Sequence, residues 1–440
     1  MADSEHHYLS PAQLRVGVFV ILDLPWLSHS FALNSFRIRD AGQLADLRAL
    51  GLKRYRYDPR RCDPPVVAAA EAPPPQPACR DAGDSGHDAA PERALSATQD
   101  QHKAERAAAL EQHRARIGEV ERAFVKAASV MRNLNQNLVS RPQPTLEEMN
   151  GLVGQMVSTF LESPDATLHV LCDRPGGEEI YYHSLNVAIL SLMLAADLGF
   201  DRDAAQNLGI GALIHDIGLM EIPGKVLNKN PSEYTSAERR LRELHVEYGA
   251  KLAGRLGVSN AVLAVVAEHH EMADGSGYPK GLSGSAMHPA ARIVSLVNHY
   301  DSLCNPFDLA KALTPHEALS LMFAKHRSRF DARALQLLIK KLGVYPPGSF
   351  VQLSNGALAT VTAINPSAPL RPTVLVYDQN IPREDAIVLD LAKEPEIAIT
   401  KALRPGLLPP AVVAYLNPRK HISYFFDGAG PEQAGSGRFP

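Results

Sequence analysis

The sequence lacks several features that would place it in whole classes of protein. Its most apolar segment, Val187 to Leu198, contains Ser191 and is too short to cross a bilayer, so we predict no transmembrane helix. The first ten residues have neither the basic nor the apolar region of a signal peptide, and we therefore expect a cytoplasmic protein. The 45 lysines and arginines do not outnumber the 48 aspartates and glutamates, so nothing predicts a DNA-binding surface.

Cysteine is also scarce. The four cysteines are scattered without a C-x-x-C spacing: Cys62, Cys79, Cys172 and Cys304. This pattern indicates free thiols in a reducing compartment and excludes a disulfide-stabilised scaffold. The chain must instead be held together by apolar cores, and a 45% hydrophobic composition over 440 residues is enough for several of them.

The N-terminal third divides into three segments by composition. Residues 8–61 are typical of a small α/β module, because a strand-like alternation at 16–22 is followed by leucines at helical spacing that end at Gly51. Residues 62–100 are rich in proline and alanine and predict a disordered linker. Residues 101–140 carry apolar side chains every seven residues, at Leu110, Ile117, Phe124 and Met131.

Two interpretations of the 101–140 seam remain open. It is either a long helix that packs along the domain that follows, or the contact surface of a parallel homodimer. Beyond it, residues 145–345 have helical periodicity almost throughout. One helix there is predicted to start near Ser236, with Thr235-x-x-Glu238 as a capping box, and to carry His245. Residues 346–425 change to the period of strands and predict a small β appendage, in which Asn355-Gly356 indicates a type I′ hairpin.

Histidines and carboxylates recur within the helical region at His183, His215-Asp216, His245 and His269-His270. Glu179 precedes His183 by one helical turn. Imidazole and carboxylate donors together suit iron, manganese, zinc or nickel. Two such ions about 3.5–4 Å apart are the arrangement that hydrolyses phosphoesters. The competing interpretation is a set of unrelated buried polar residues.

These positions, with the loop Asp274-Gly275-Ser276-Gly277-Tyr278-Pro279, resemble the HD-GYP family, a branch of the HD phosphohydrolases associated with hydrolysis of cyclic di-GMP. The resemblance covers about residues 175–330. Residues 8–61 resemble the small domain that often precedes it. The resemblance implies a mainly α fold, with an all-helical HD-type metal-dependent phosphohydrolase domain between the α/β module and the β appendage.

The resemblance also assigns roles to residues. Family metal ligands fall on the following positions: Glu179, His183, His215, Asp216, His245, His269, His270 and Asn298. The catalytic set would be Asp216, His215 and His245. Substrate would contact Tyr278, Gly275, Gly277, Arg292 and Lys311. Two or three divalent ions are implied, iron or manganese first, with zinc or nickel as alternatives.

Three positions depart from the family pattern. Leu219 stands where a lysine usually follows the His-Asp motif, Asn298 replaces a metal-binding aspartate, and Phe307 begins a segment that lacks the usual arginines. The leading hypothesis is a metal-dependent phosphodiesterase that converts cyclic di-GMP to pGpG or GMP. The alternatives are a regulator that binds metal, nucleotide or protein partners without turnover, and an HD hydrolase of another nucleotide. Protein partners would bind residues 8–61.

Overall fold

The structure is a computed structural model that describes residues 7–24, 29, 31, 33–63, 108, 111, 115, 118–134, 136–138, 140–162, 168–170, 182–364, 368–417 and 424–426. Contacts divide it into two compact units. One holds the described residues up to 111 together with Asp378–Leu389, and the other holds the remainder. Apart from residues 62 and 63, the predicted linker lies outside the described residues.

The N-terminal unit confirms the predicted α/β module. Its strands are β1 (His7–Leu9), β2 (Phe19–Ile21), β3 (Ser35–Arg37) and β4 (Tyr55–Tyr57), and its helix is α1 (Ala41–Ala49). The strands form an antiparallel sheet in the order β1-β4-β2-β3. Asp40 caps α1 by accepting from the Gln43 backbone N–H, and Gly51 follows the helix with a φ of 66° that favours glycine. Leu47 packs into the core of this unit.

The larger unit is mostly helical, which confirms the predicted fold class. Its helices before the appendage are α2 (118–134), α3 (Pro142–Glu162), α4 (Tyr182–Ala195), α5 (Arg202–Ile214), α6 (Gly224–Leu227), α7 (Ser236–Glu243), α8 (His245–Arg255), α9 (Asn260–Glu268), α10 (Pro289–Cys304), α11 (Pro315–Lys325) and α12 (Ala332–Leu342). A short 3-10 helix, Ile217–Glu221, joins α5 to α6. Helix α4 is buried along almost its whole length, as expected of a helix that is apolar on all sides.

The predicted 101–140 seam packs inside this unit. Its described apolar residues, from Val120 to Leu138, belong to the same core as α4, and the Phe124 ring lies 5.1 Å from that of Tyr182. The geometry therefore favours a helix that packs along its own domain. Leu110 and Ile117 lie outside the residues whose side chains are described, and the homodimer stays a prediction.

A sheet follows the helices and confirms the predicted β appendage. Its strands are β6 (Phe350–Leu353), β7 (Leu358–Ala363), β8 (Thr373–Val376), β9 (Ile387–Asp390) and β10 (Ile399–Leu403). Two further strands, β5 (Leu168–Val170) and β11 (Tyr424–Phe426), extend the order to β10-β6-β7-β5-β11, with β8 paired to β7. Within the 145–345 region, which was predicted to be helical almost throughout, β5 was not predicted, because a three-residue strand is too short to show a period of two. A last helix, α13 (Pro410–Leu416), was not predicted.

The hairpin between β6 and β7 is present, but its predicted turn type was wrong. A type I′ turn needs positive φ at both central residues. Among the described residues only glycines have positive φ, and of this pair only Gly356 does, at 85°. The Gly356 N–H donates to Leu353 O and the Leu353 N–H to Ala357 O, which closes a three-residue loop with glycine in the left-handed position.

The sequence analysis predicted no transmembrane helix. In agreement, the described part of the chain contains no helix long and apolar enough to cross a membrane.

Candidate metal centre

Three of the predicted metal-binding histidines lie at helix ends. His215 caps the C-terminus of α5, and His269 caps that of α9. The sequence pattern predicted one helix from Ser236 through His245, with a capping box at Thr235 and Glu238. The capping box is confirmed, but α7 ends at Glu243 and α8 begins at His245. A break before His245 thus replaces the predicted continuous helix.

Each of these three rings is held by the carbonyl three residues before it. The Nδ1 atoms lie 2.7 Å from Ala212 O for His215, 2.6 Å from Arg242 O for His245 and 2.8 Å from Val266 O for His269. A carbonyl oxygen only accepts, so each Nδ1 carries the proton and donates. In a neutral ring the Nε2 atom is then left with a lone pair, the form that binds a metal ion.

His183 is held differently. Its Nδ1 lies 2.7 Å from Oδ2 of Asp301, a fully buried carboxylate on α10. The Asp301 carboxylate therefore points toward this ligand histidine. Burial alone would lower the pKa of His183, but Asp301 and, to a smaller extent, Asn298 one turn earlier on α10 raise it. The spacing of these two residues on one helix face was the available signal.

The Asp216 carboxylate lies between two groups of histidines. Its Oδ2 is 3.5 Å from His215 Nε2 and 3.9 Å from His183 Nε2, and we call this side the first lobe. Its Oδ1 is 3.2 Å from His245 Nε2 and 3.5 Å from His269 Nε2. That side, which also includes His270, is the second lobe. One carboxylate therefore faces two potential metal positions.

The nitrogen atoms of each lobe lie close enough together to be ligands of one ion. His183 Nε2 lies 3.2 Å from His215 Nε2, and His245 Nε2 lies 3.2 Å from His269 Nε2. In the second lobe, two neutral rings that both carry their proton on Nδ1 would face each other with lone pairs, which is unfavourable unless a cation lies nearby. In the first lobe, Asp301 raises the pKa of His183 against the effect of burial, so a proton on His183 Nε2 can be donated to His215 where no metal ion is bound. Burial lowers the pKa of His215 to about 3 and holds that of His270 well below its usual range, which keeps both rings neutral.

Asp216 behaves as an anion in this setting. Burial alone would raise the pKa of its carboxyl group, but the neighbouring imidazoles, His215 first, lower it well below the usual range. The ionised carboxylate and the neutral imidazoles are the protonation states that bind a divalent ion. The described cluster can therefore hold metal.

The predicted Gly-Tyr-Pro loop lies against the second lobe. The Tyr278 ring stacks on that of His270, with centroids 4.6 Å apart, and the Tyr278 backbone N–H donates to His270 O. Gly277 permits this approach, because a Cβ there would lie 2.5 Å from His270 O. Gly275 has a φ of 79°, a conformation that favours glycine.

Sequence reasoning missed the residue that fixes this loop. Glu271 is fully buried, and its carboxylate accepts from the Lys280 and Leu282 backbone N–H groups at 2.7 and 2.8 Å. The signal that could have identified Glu271 was its place in the sequence, because it is a carboxylate directly after two ligand histidines. Its two hydrogen bonds close the loop on which Tyr278 lies.

Three predicted site residues are not brought into the cluster by any contact that the structure describes. Arg292 donates to Asp331 at 3.1 Å, and Lys311 is exposed, 3.4 Å from Asp308. Their roles in substrate binding stay predictions. Glu179 lies outside the described residues.

The missing lysine at position 219 is not replaced by its sequence neighbours. Leu219 is half-buried, Lys225 is exposed, and Lys229 donates to the Glu238 carboxylate at 2.8 Å. The cation whose charge acts on Tyr278 is Arg242, three residues before His245. This positive charge lies near the end of α7.

Comparisons with known proteins follow the same division of the chain. A family model described as an HD domain matches residues 142–334. A domain of unknown function, DUF3391, matches residues 8–149. A KOW domain associated with HD domains matches residues 350–408. The three matches cover the module, the helical domain and the appendage.

Individual relatives are more informative. A cyclic di-GMP phosphodiesterase of Pseudomonas aeruginosa is 30% identical over 369 residues, which are 83% of this chain and 83% of that protein. A cyclic di-GMP phosphodiesterase response regulator of Xanthomonas campestris is 33% identical over 212 residues, 47% of this chain and about half (54%) of that relative. A solved HDG"Y"P protein from Bdellovibrio bacteriovorus is 17% identical, with a TM-score of 0.40, over 76% of this chain and 98% of that one.

Proposed function

This chain belongs to the HD-GYP family of metal-dependent phosphohydrolases, and from that premise we propose that it hydrolyses cyclic di-GMP to pGpG or GMP. The observation that carries the proposal is the position of Asp216 between the two lobes. A carboxylate shared by two groups of Nε2 donors supports a polynuclear metal centre, and such centres hydrolyse phosphodiesters.

The proposed cofactors are two or three divalent ions, iron or manganese first. When bound, such ions stabilise negative charge on phosphate oxygens and activate water at neutral pH. His183 and His215 would hold one ion, and His245, His269 and His270 a second, with Asp216 reaching both. Asn298 would add a neutral oxygen donor to the first lobe, and Glu179 is the proposed residue for a third ion. Zinc and nickel also suit these donors.

The protein residues orient and shield the reaction. Hydrogen bonds from Nδ1 to carbonyl oxygens fix three rings, so the metal ligands need no rearrangement on binding. Burial raises the pKa of Tyr278 above its usual value, so its phenol stays neutral and can donate a hydrogen bond. Stacked on His270, its ring provides a flat surface beside the second lobe for a nucleotide base.

A second candidate function is that of a regulator that binds metal but does not catalyse hydrolysis. Leu219 supplies no cation, and Phe307 is 58% exposed in a segment without arginines. A protein of this kind would bind nucleotide and signal through a partner. In either case we propose that residues 8–61 receive an input or bind a protein partner. A homodimer through 101–140 remains part of this proposal.

The deciding experiment is turnover of cyclic di-GMP by full-length protein purified without oxygen and loaded with manganese or iron. Metal content is counted on the same samples. Asp216→Ala is expected to lose product formation to background, because it removes the carboxylate that both lobes share. Asp203→Ala, an exposed carboxylate on the same α5 helix, is the matched control and should keep wild-type turnover. Wild-type protein that holds metal but forms no product would contradict the proposal and favour the regulator.

A further inference from the structure

A buried chain of hydrogen bonds connects the end of the described chain to the first lobe. The Tyr424 backbone N–H donates to Asn186 Oδ1 at 2.9 Å, and Asn186 Nδ2 donates to Asp301 Oδ1 at 2.7 Å. The other oxygen of Asp301 accepts from His183 Nδ1 at 2.7 Å. Asn186, Asp301 and Tyr424 are fully buried. Every link is therefore protected from competition with water.

Strand β11, in which Tyr424 lies, is packed firmly against the helical core. The Tyr424 hydroxyl lies 2.9 Å from that of Tyr300 on α10. The Phe425 ring lies 5.7 Å from that of Phe124, and the Phe426 ring 4.6 Å from that of Phe160. These contacts set the position of the Tyr424 N–H relative to α4 and α10.

Asn186 transmits that position to the metal ligand. Its amide has one acceptor oxygen and one donor nitrogen, and each is used by a different partner. Because the Tyr424 N–H donates to Asn186 Oδ1, the Asn186 Nδ2 atom faces the Asp301 carboxylate. Without that N–H, the oxygen would lose this donor, and the amide orientation would be held less firmly. The Asp301 carboxylate would then lose a hydrogen bond that aims it at His183.

From these contacts we propose that the Tyr424–Phe426 strand is a positioning element for the first lobe and sets its metal affinity through Asn186 and Asp301. The strand does not touch the ligands; it acts through the residues that orient His183. Partners of this kind typically change metal affinity 10- to about 100-fold. The second lobe lacks this dependence, because its anchored histidines bond to carbonyl oxygens three residues before them. The proposal rests on the metal centre of the proposed function, and not on its substrate.

The test is a manganese titration of full-length protein, followed by the electron paramagnetic resonance signal of bound manganese. Asn186→Ala removes both amide hydrogen bonds, and deletion of residues 424–440 removes the donor strand. Each should weaken one manganese site 10- to about 100-fold and leave the other unchanged, so that a signal from coupled ions becomes one from isolated ions. Ser191→Ala is the matched control, since this buried hydroxyl on the same helix has no hydrogen-bond partner in the described structure.

Several results would overturn the proposal. Wild-type affinity in either folded variant would show that the strand does not act on the lobe. Equal weakening of both sites, or unfolding of both variants, would show a general structural role. Turnover of cyclic di-GMP is measured separately on wild-type protein. Its absence beside a selective manganese effect would count against the proposed function alone.

Discussion

The two lobes of the metal centre are built in different ways. In the second lobe, His245 and His269 are held by carbonyl oxygens three residues before them, within the same stretch of chain. In the first lobe, His183 is held by the side chain of Asp301, 118 residues away, which is itself held by Asn186. His215 of the first lobe is also held by a local carbonyl, so the lobes differ at His183, whose position requires correct packing between α4, α10 and β11.

This difference determines which changes each lobe can tolerate. A backbone carbonyl is present whatever side chain occurs there, so the second lobe depends mainly on its histidines. The first lobe also depends on buried side chains that a single substitution can remove. The departure at Asn298 falls in the first lobe, where this buried side chain lies one turn before Asp301 on α10. We therefore expect the first lobe to be the weaker metal site.

The largest effect should come from removing one ligand from each lobe in turn. His269→Ala should weaken the second lobe and His183→Ala the first, each by more than about 100-fold, because a direct ligand contributes more than an outer partner. The measurement is manganese stoichiometry at a fixed free concentration. Each variant should retain the ion of the other lobe.

His316→Ala is the control for that pair, since His316 is half-buried outside the metal centre and bonds to Val344 O. It should bind manganese as the wild type does. If either cluster variant loses every ion, the comparison between lobes fails, because the site would then be a single cooperative unit.

A smaller effect is expected from adding a side chain at Gly218, where the 217–221 segment lies directly against the backbone of α8. A Cβ on Gly218 would lie 1.9 Å from His245 O and 2.5 Å from Gly249 N, both of them backbone atoms. Gly218→Ala should therefore move Asp216 away from His245 and lower the free energy of unfolding by about 3 kcal/mol. Thermal unfolding of metal-free protein measures the change.

Gly254→Ala provides the matched comparison, because a Cβ there meets no atom within 4 Å and the residue lies in α8. Alanine in a helix should stabilise it by about 0.5–1 kcal/mol. Similar unfolding temperatures for the two variants would show that the 217–221 segment adapts without strain. The close approach would then not be what holds Asp216 in place.

The sequence predicted the second lobe more completely than the first, for the same physical reason. His245, His269 and His270 need only their own helix ends, and helix ends leave signals such as Ser259 and the capping box at Thr235. The break between Glu243 and His245 was missed because both sides have helical periodicity. Nothing local distinguishes a helix from two helices that meet end to end.

The first lobe depends on contacts that no local pattern encodes. Asn186 and Asp301 lie 115 residues apart, and Tyr424 lies 238 residues beyond Asn186. The strands that carry Leu168 and Tyr424 are three residues long and gain their structure from sheet partners. Helical periodicity and ligand order could therefore predict the fold class and the histidines, but not the side chains that orient His183.

The smallest predicted effect would correct the weaker lobe. Asn298→Asp adds a negative charge at a buried position on α10, one turn before Asp301. We expect manganese affinity of the first lobe to rise about tenfold, a gain at the lower end for such partners. Metal-free protein should become less stable, because the new carboxylate joins Asp216 and Asp301 without a cation.

Asn298→Leu is the isosteric control and should weaken the same lobe, since it removes the oxygen and keeps the volume. A titration that resolves the two sites must show both changes in the first lobe only. An unchanged manganese affinity in Asn298→Asp would mean that the side chain of residue 298 does not contact the ion of the first lobe. The lower metal affinity of the first lobe would then be due either to Glu179 or to the hydrogen bonds that link Asn186, Asp301 and His183. Substitutions at Asn186 would distinguish between these two causes.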